Sequence, residues 1–233
     1  MKNFRITLWF LFTTLSMIHA QPQTRSFALG FNGGIAIPLY NESFRNYWRY
    51  AGSLGFDAQF FLSDHFSIAP RIHYYNFQVN PDQLEESFGN DVSESGGTLS
   101  YQKSQRRFLI AGFNLQLFIS HPTDIVGFYI AMGGSYCLIR YEPVEGLFEK
   151  DESQFTEILR DRETFQSGGA NVGFGLEFWL HSRFCVTSEV QLCYLLTNIP
   201  PRGATKGDIE SIFLHDTRET GFISVLWGMR ITL

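Results

Sequence analysis

The sequence predicts an all-β chain that closes into an eight-stranded antiparallel up-and-down transmembrane β-barrel. Three observations predict it. Eight segments alternate large apolar residues with small or polar ones at a period of two, and the connections between them are alternately short and long. Charged side chains make up only 18% of the chain, beside 24 Phe and 21 Gly. A soluble domain carries about 25% charge, so this composition fits an outside that meets lipid. Past the N-terminus no run of about 18 apolar residues occurs, and any crossing of a membrane must be made by strands.

The N-terminus reads as a secretory signal over residues 1–20. Lys2 and Arg5 form a positive start, Ile6 to Ile18 an apolar stretch, and cleavage is placed between Ala20 and Gln21. No Cys follows that bond, so no lipoprotein anchor is expected. Residues 21–233 then form one barrel domain. Loss of Lys2 and Arg5 takes the formal charge from −5 to −7, an acidic balance that argues against nucleic acid as a partner.

The first strand, Phe27–Leu39, sets Phe27, Leu29, Phe31, Ile35 and Ile37 against Ala28, Gly30, Asn32, Gly34 and Ala36. The second, Arg49–Leu62, sets Tyr50, Leu54, Phe56 and Phe60 against Ala51, Ser53, Gly55, Asp57 and Gln59. The third, Phe66–Val79, sets Phe66, Ile68, Pro70, Ile72 and Tyr74 against Ser67, Ala69, Arg71 and His73. The fourth, Arg106–Ile119, sets Leu109, Phe113, Leu115 and Leu117 against Gly112, Asn114 and Gln116. The fifth, Ile125–Leu138, sets Phe128, Ile130, Met132 and Tyr136 against Gly127, Ala131, Gly133 and Ser135. The sixth, Phe165–Leu180, sets Val172, Phe174, Leu176 and Phe178 against Asn171, Gly173, Gly175 and Glu177. The seventh, Phe184–Leu195, sets Val186, Val190, Leu192 and Tyr194 against Thr187, Glu189 and Gln191. The last, Thr220–Leu233, sets Ile223, Val225, Trp227, Met229 and Ile231 against Ser224, Gly228, Arg230 and Thr232.

Short turns fall at residues 63–65, 120–124 and 181–183, and long polar connections at 40–48, 80–105, 139–164 and 196–219. Short turns at one end and long loops at the other are the layout of bacterial outer-membrane barrels, with the short turns periplasmic. Aromatics mark both rims, with Tyr40, Tyr50, Tyr74, Tyr136 and Tyr194 towards the loops and Phe60, Phe66, Phe178 and Phe184 towards the turns. The competing fold is a soluble lipocalin-like barrel, which places its bulky apolar face inside. Here that face is too bulky and continuous for an eight-stranded interior, whereas the Gly, Ala, Ser, Asn and Gln face is small enough to fill one.

Three cysteines, Cys137, Cys185 and Cys193, are expected to form no disulfide. Cys185 and Cys193 lie eight residues apart on one strand, roughly 26 Å at ~3.3 Å per residue, and Cys137 falls on a strand that neighbours neither. No spacing suggests a metal site or a cofactor.

The stretch Gly52-Ser-Leu-Gly-Phe-Asp-Ala-Gln-Phe-Phe-Leu-Ser-Asp-His-Phe-Ser-Ile-Ala-Pro70, continuing into Arg71-Ile-His-Tyr74, carries a Leu-Ser-Asp turn and a Pro in the following strand. With Tyr194-Leu-Leu-Thr-Asn-Ile199, it resembles the small outer-membrane barrels of Bacteroidetes, the PorT-like family. The likeness runs from about Phe27 to the end of the chain. Members often carry Glu after that Pro, where this chain has Arg71. The resemblance implies an outer-membrane location and, through the family's namesake, a place in a protein-secretion and gliding apparatus.

The predicted lumen contains Asp57, Arg71, His73, Glu177, Glu189 and Arg230. Asp57 and Arg71 are equally far from Asp64, so they are expected to face each other across the hairpin. A buried charge needs a partner, and the simplest reading is a salt-bridge network that plugs the barrel; a gate or proton path is the alternative. The second and third long loops are acidic: Asp82, Glu85, Glu86, Asp91 and Glu94 in one, and Glu142, Glu145, Glu149, Asp151, Glu152, Glu157, Asp161 and Glu163 in the other. They read as a solvated face or a docking surface. Phe155, Ile158, Leu159 and Arg162 have helical spacing and predict a short amphipathic helix. Ser211 with His215 and Asp216 would suit a surface lipid-modifying hydrolase, but no nucleophile motif surrounds Ser211.

The functional expectation is a non-enzymatic membrane scaffold or docking protein, with no catalytic residues. A narrow or gated channel is the alternative, and a lipid-modifying enzyme a third reading. Its expected partners are outer-membrane lipid, lipopolysaccharide and secretion-apparatus proteins.

Overall fold

The computed structural model describes residues 26–40, 42–83, 98–101, 105–120, 124–142, 144–150, 153–160, 163–197 and 219–233. In chain order its elements are β1 (Phe27–Tyr40), α1 (Glu42–Tyr47), β2 (Trp48–Phe61), β3 (Phe66–Val79), β4 (Thr98–Tyr101), β5 (Gln105–Phe118) and β6 (Val126–Tyr141). There follow β7 (Val144–Lys150), β8 (Ser153–Arg160), β9 (Glu163–His181), β10 (Phe184–Thr197) and β11 (Glu219–Thr232).

Eight of these strands form a closed barrel in the order β1-β11-β10-β9-β6-β5-β3-β2, every pair antiparallel. The β1–β11 seam runs from Ala28↔Thr232 to Tyr40↔Gly221 and shifts register once, between Pro38 and Tyr40. Closure leaves the barrel no open strand edge, the condition for crossing a bilayer with sheet. No described helix is long and apolar enough to cross.

The period-two alternation sets every side chain's face. Phe31, Leu54, Phe56, Ile72, Phe113, Met132, Phe174, Leu192, Trp227 and Met229 all point outward and are exposed. Their neighbours in sequence point inward and are buried or half-buried. The same alternation leaves Tyr40, Tyr50, Tyr74 and Tyr136 exposed at the loop rim and Phe60, Phe66 and Phe178 exposed at the turn rim.

Pro70 lies inside β3, which is paired on both sides. Proline cannot donate to a ladder. The β2–β3 register accordingly runs to Asp57↔Arg71, skips two positions and resumes at Phe60↔Ile68 without shifting.

Four elements depart from the expected layout. The connection after β1 contains α1, and its Phe44 is buried in the barrel. The third long connection is not helical: β7 and β8 form an antiparallel hairpin with Phe148 opposite Phe155 and Glu145 opposite Ile158. The β-branched and aromatic residues Phe155, Thr156 and Ile158 find a partner strand there, and strand pairing overrides a four-residue helical spacing. β4, in the second long connection, pairs with β7, so a three-stranded sheet ordered β4-β7-β8 belongs to the long-loop side. The signal segment and the Ser211, His215 and Asp216 cluster lie outside the described residues, as do Glu85, Glu86, Asp91, Glu94, Asp151, Glu152, Asp161 and Arg162.

Candidate functional site

All six lumen residues read from the sequence are buried on the inner face, and hydrogen bonds or ion pairs join them in two separate sets. Arg230 on β11 lies between two carboxylates: it pairs with Glu177 of β9 and, through Nη2, with Asp57 Oδ2 of β2 at 3.1 Å. Asn32 Nδ2 donates to the other Asp57 oxygen at 3.0 Å. Arg71 on β3 reaches the far wall, where its Nη1 meets Glu189 Oε1 of β10 at 3.1 Å. These strands are four places apart in an eight-strand ring, so the pair spans the full lumen. Tyr129 of β6 donates to Glu189 Oε2 at 2.8 Å. Arg71 Nε also donates to His73 Nε2 at 3.2 Å. With Nε2 accepting, the ring proton belongs on Nδ1, 3.4 Å from the Tyr75 hydroxyl.

One expected contact is different. Asp57 and Arg71 are direct register partners, as their spacing from the turn requires, yet neither pairs with the other. Asp57 turns to Arg230 and Arg71 to Glu189. Sheet register fixes which residues start side by side. In a narrow barrel a long side chain can equally well cross the interior to a strand several places away.

Glycines on adjacent strands make room for this layer. Gly30 is the register partner of Asp57, Gly55 of His73, Gly112 of Arg71, and Gly175 of both Glu189 and Tyr129. A Cβ at Gly55 would come 2.6 Å from His73 Cε1, and one at Gly30 would come 2.7 Å from the Asp57 carboxylate. One at Gly175 would overlap the Tyr129 ring. Small residues on the inner face are thus the spaces that large polar neighbours fill.

Below the ionic layer, on the turn side, Gln59 Nε2 donates to Ser67 Oγ at 2.9 Å and to Gln116 Oε1 at 2.6 Å. Above it the interior changes character. Phe44, Trp48, Tyr75, Phe77, Phe108, Ile139, Tyr141, Leu195 and Phe222 form one buried apolar cluster. Phe44 packs edge-on to Phe77 at 5.0 Å between ring centroids, and Phe77 lies 5.0 Å from Phe108. Within this cluster Arg106, 1% exposed, places its guanidinium 4.6 Å from the Tyr141 ring centre and 4.8 Å from those of Phe44 and Phe108. Its Nη2 donates to Thr220 Oγ1 at 3.2 Å. Cation–π contacts of this kind hold a desolvated guanidinium.

Sequence reading misses Arg106 and the aromatic layer, although the signal is present. Extending the inward parity of Asn114 and Gly112 back along β5 reaches Ile110, Phe108 and Arg106. The apolar members of that series break the polar-inside pattern, which hides them. With Arg106 included, the described interior holds three buried guanidiniums and three buried carboxylates. Cys137, Cys185 and Cys193 are buried on the inner wall and form no disulfide. Among the described residues no group of His, Cys, Asp and Glu is arranged to hold a metal ion.

No protein-family model matches the sequence, and no curated protein matches it. Solved structures do. The chain is similar to the outer membrane protein OprG from Pseudomonas aeruginosa, with 13% identity over 91% of this chain and 99% of that one, at a TM-score of 0.50. The chain is an integral outer-membrane β-barrel. The OprG likeness supports the fold, and the continuous apolar exterior around a closed ring of strands supports the membrane location. Neisserial surface protein A matches with 9% identity over 91% of this chain and 100% of that one, at a TM-score of 0.49. A major outer membrane protein from Thermus thermophilus matches with 8% identity over the same shares, at 0.48.

Proposed function

We propose that the protein is a non-conducting, non-enzymatic outer-membrane anchor that presents its long-loop face to a partner protein. The observation that carries this reading is the filled lumen. An ion-pair layer spans the barrel through Arg71–Glu189 and Asp57–Arg230–Glu177, and an aromatic layer caps it on the long-loop side. A barrel filled in this way offers solutes no path and works through what it displays. What it displays includes the β4-β7-β8 sheet, whose strands belong to the acidic second and third connections. The PorT-like hairpin at residues 52–70 favours a secretion-apparatus component as the partner.

Cross-linking in intact outer membranes, followed by pull-down and mass spectrometry, tests this reading. The full chain is compared with a variant in which residues 144–160 are replaced by a short turn. Secretion or motility components recovered with the full chain and lost with the variant are the expected result. Recovery of only lipopolysaccharide and abundant neighbours in both would overturn it. A gated channel is the second reading, favoured by one feature: Arg71 and Glu189 meet across the lumen centre and would have to part for it to open.

A further inference from the structure

Two arginines mark the place where the lipid-facing belt of the barrel ends. Along β6 the outward positions run Val126, Phe128, Ile130, Met132, Gly134, Tyr136 and Leu138, and the next is Arg140. From Val126 to Leu138 is roughly 40 Å of strand at ~3.3 Å per residue, or roughly 28 Å of depth at a tilt of about 45°. That span matches the apolar band of an outer-membrane barrel, about 25 Å tall. Arg140 is therefore the first outward residue above the hydrocarbon, level with the headgroups on the long-loop side. On β5 the outward series ends in the same way, with Arg107 above Leu109.

Arg107 and Arg140 are direct register partners, as are Leu109 and Leu138 beneath them. Like charges directly opposite on neighbouring strands repel, so an anion is needed between them. Glu142 supplies part of it: its Oε1 lies 3.1 Å from Arg107 Nη1 and 3.2 Å from Arg140 Nε. Arg107 Nη2 donates to Gln105 Oε1 at 3.0 Å. The carboxylate is tucked in, its side chain 15% exposed, while those of Arg107 and Arg140 are 39% and 46% exposed. One carboxylate shared by two guanidiniums leaves a net positive charge. The terminal nitrogens of Arg140 have no acceptor among the described residues. Asn76 flanks Arg107 on β3 and Thr164 flanks Arg140 on β9, completing a polar row across four adjacent strands. Elsewhere the outward rim is apolar at Leu39 and Leu196, acidic at Glu219 beside Leu196, and at Arg49 already paired with Asp82.

We propose that Arg107 and Arg140 form a binding site for a phosphate of lipopolysaccharide in the surrounding outer leaflet. Planar guanidinium forks match phosphate oxygens in geometry and charge, and the depth of the pair places it where those phosphates lie. The site stands independently of the docking reading.

The test uses the full chain, folded in non-ionic detergent and checked by heat-dependent gel mobility, with bound lipid read by native mass spectrometry. The probes are bis-phosphorylated lipid A, its dephosphorylated form and inorganic phosphate. Arg140→Gln should weaken retention of bis-phosphorylated lipid A roughly tenfold, the scale of one charge-assisted contact, and adding Arg107→Gln should weaken it further. Glu142→Gln should strengthen it, because the competing carboxylate is gone. Dephosphorylated lipid A should be indifferent to all three, and chelator should have no effect. Equal retention by the wild type and the double variant would overturn the site. Displacement by millimolar inorganic phosphate would overturn the lipid assignment, and loss in chelator would overturn direct arginine contact.

Discussion

Arg230 is the residue on which the lumen depends most. It is the one group holding both Asp57 and Glu177, and Glu177 is fully buried. Removing it takes the shared cation from two buried carboxylates, leaving Asp57 its hydrogen bond from Asn32. Loss of one partner from a buried pair costs about 3–5 kcal/mol. Arg230→Ala should therefore lower unfolding stability by at least that range in a urea titration in detergent, and adding Asp57→Asn with Glu177→Gln should recover most of the loss. A small effect of Arg230→Ala alone would mean that water already reaches these carboxylates. At this scale the inward direction of Asp57, Arg71, His73, Glu177, Glu189 and Arg230 is legible in the sequence, because a period of two fixes the face of every residue once one is known. Their pairing is not legible. Asp57 and Arg71 adjoin in the sheet, yet each finds its ion partner two or four strands away, a choice that depends on the width of the closed barrel.

At the scale of elements, the eight wall strands are readable to within a few residues, since each must alternate along its length to face lipid and lumen at once. The connections carry no such constraint, and there sequence and structure part. α1 lies within a segment that looks like a polar loop, and the signs of its role are Phe44 and Tyr47 in an otherwise hydrophilic run. The β7–β8 hairpin has the sequence look of a helix because Phe155, Ile158 and Leu159 fit a helical face, while the strand that partners them is invisible to local spacing. α1 acts as the cap on the aromatic layer through Phe44. Phe44→Ala should destabilise the barrel by about 3–5 kcal/mol, the usual cost of deleting a buried aromatic ring, as measured by the thermal midpoint of the gel-mobility shift. It should not open a conducting path, because the Arg71–Glu189 layer lies below. Conductance appearing in Phe44→Ala alone would show that the cap, rather than the charges, closes the lumen.

For the whole molecule, a closed ring of eight strands with an apolar outside and a filled inside leaves function to the two rims and the loops. The outside of the barrel is the most legible feature of the sequence, since sparse charge and bulky alternation have few other uses. The filling is half legible: its ionic layer can be read from parity, and its aromatic layer, built from Phe77, Phe108, Tyr141 and Phe222, is concealed because those residues look like lipid-facing ones. Both layers converge on the claim that the barrel is sealed. Single-channel recording of the full chain in planar bilayers tests that claim most directly. The structure predicts a flat baseline across the voltage range, unchanged by Phe44→Ala. Sustained ion-selective steps that vanish when Arg71 or Glu189 is substituted would contradict it and would make the lumen a gated pore.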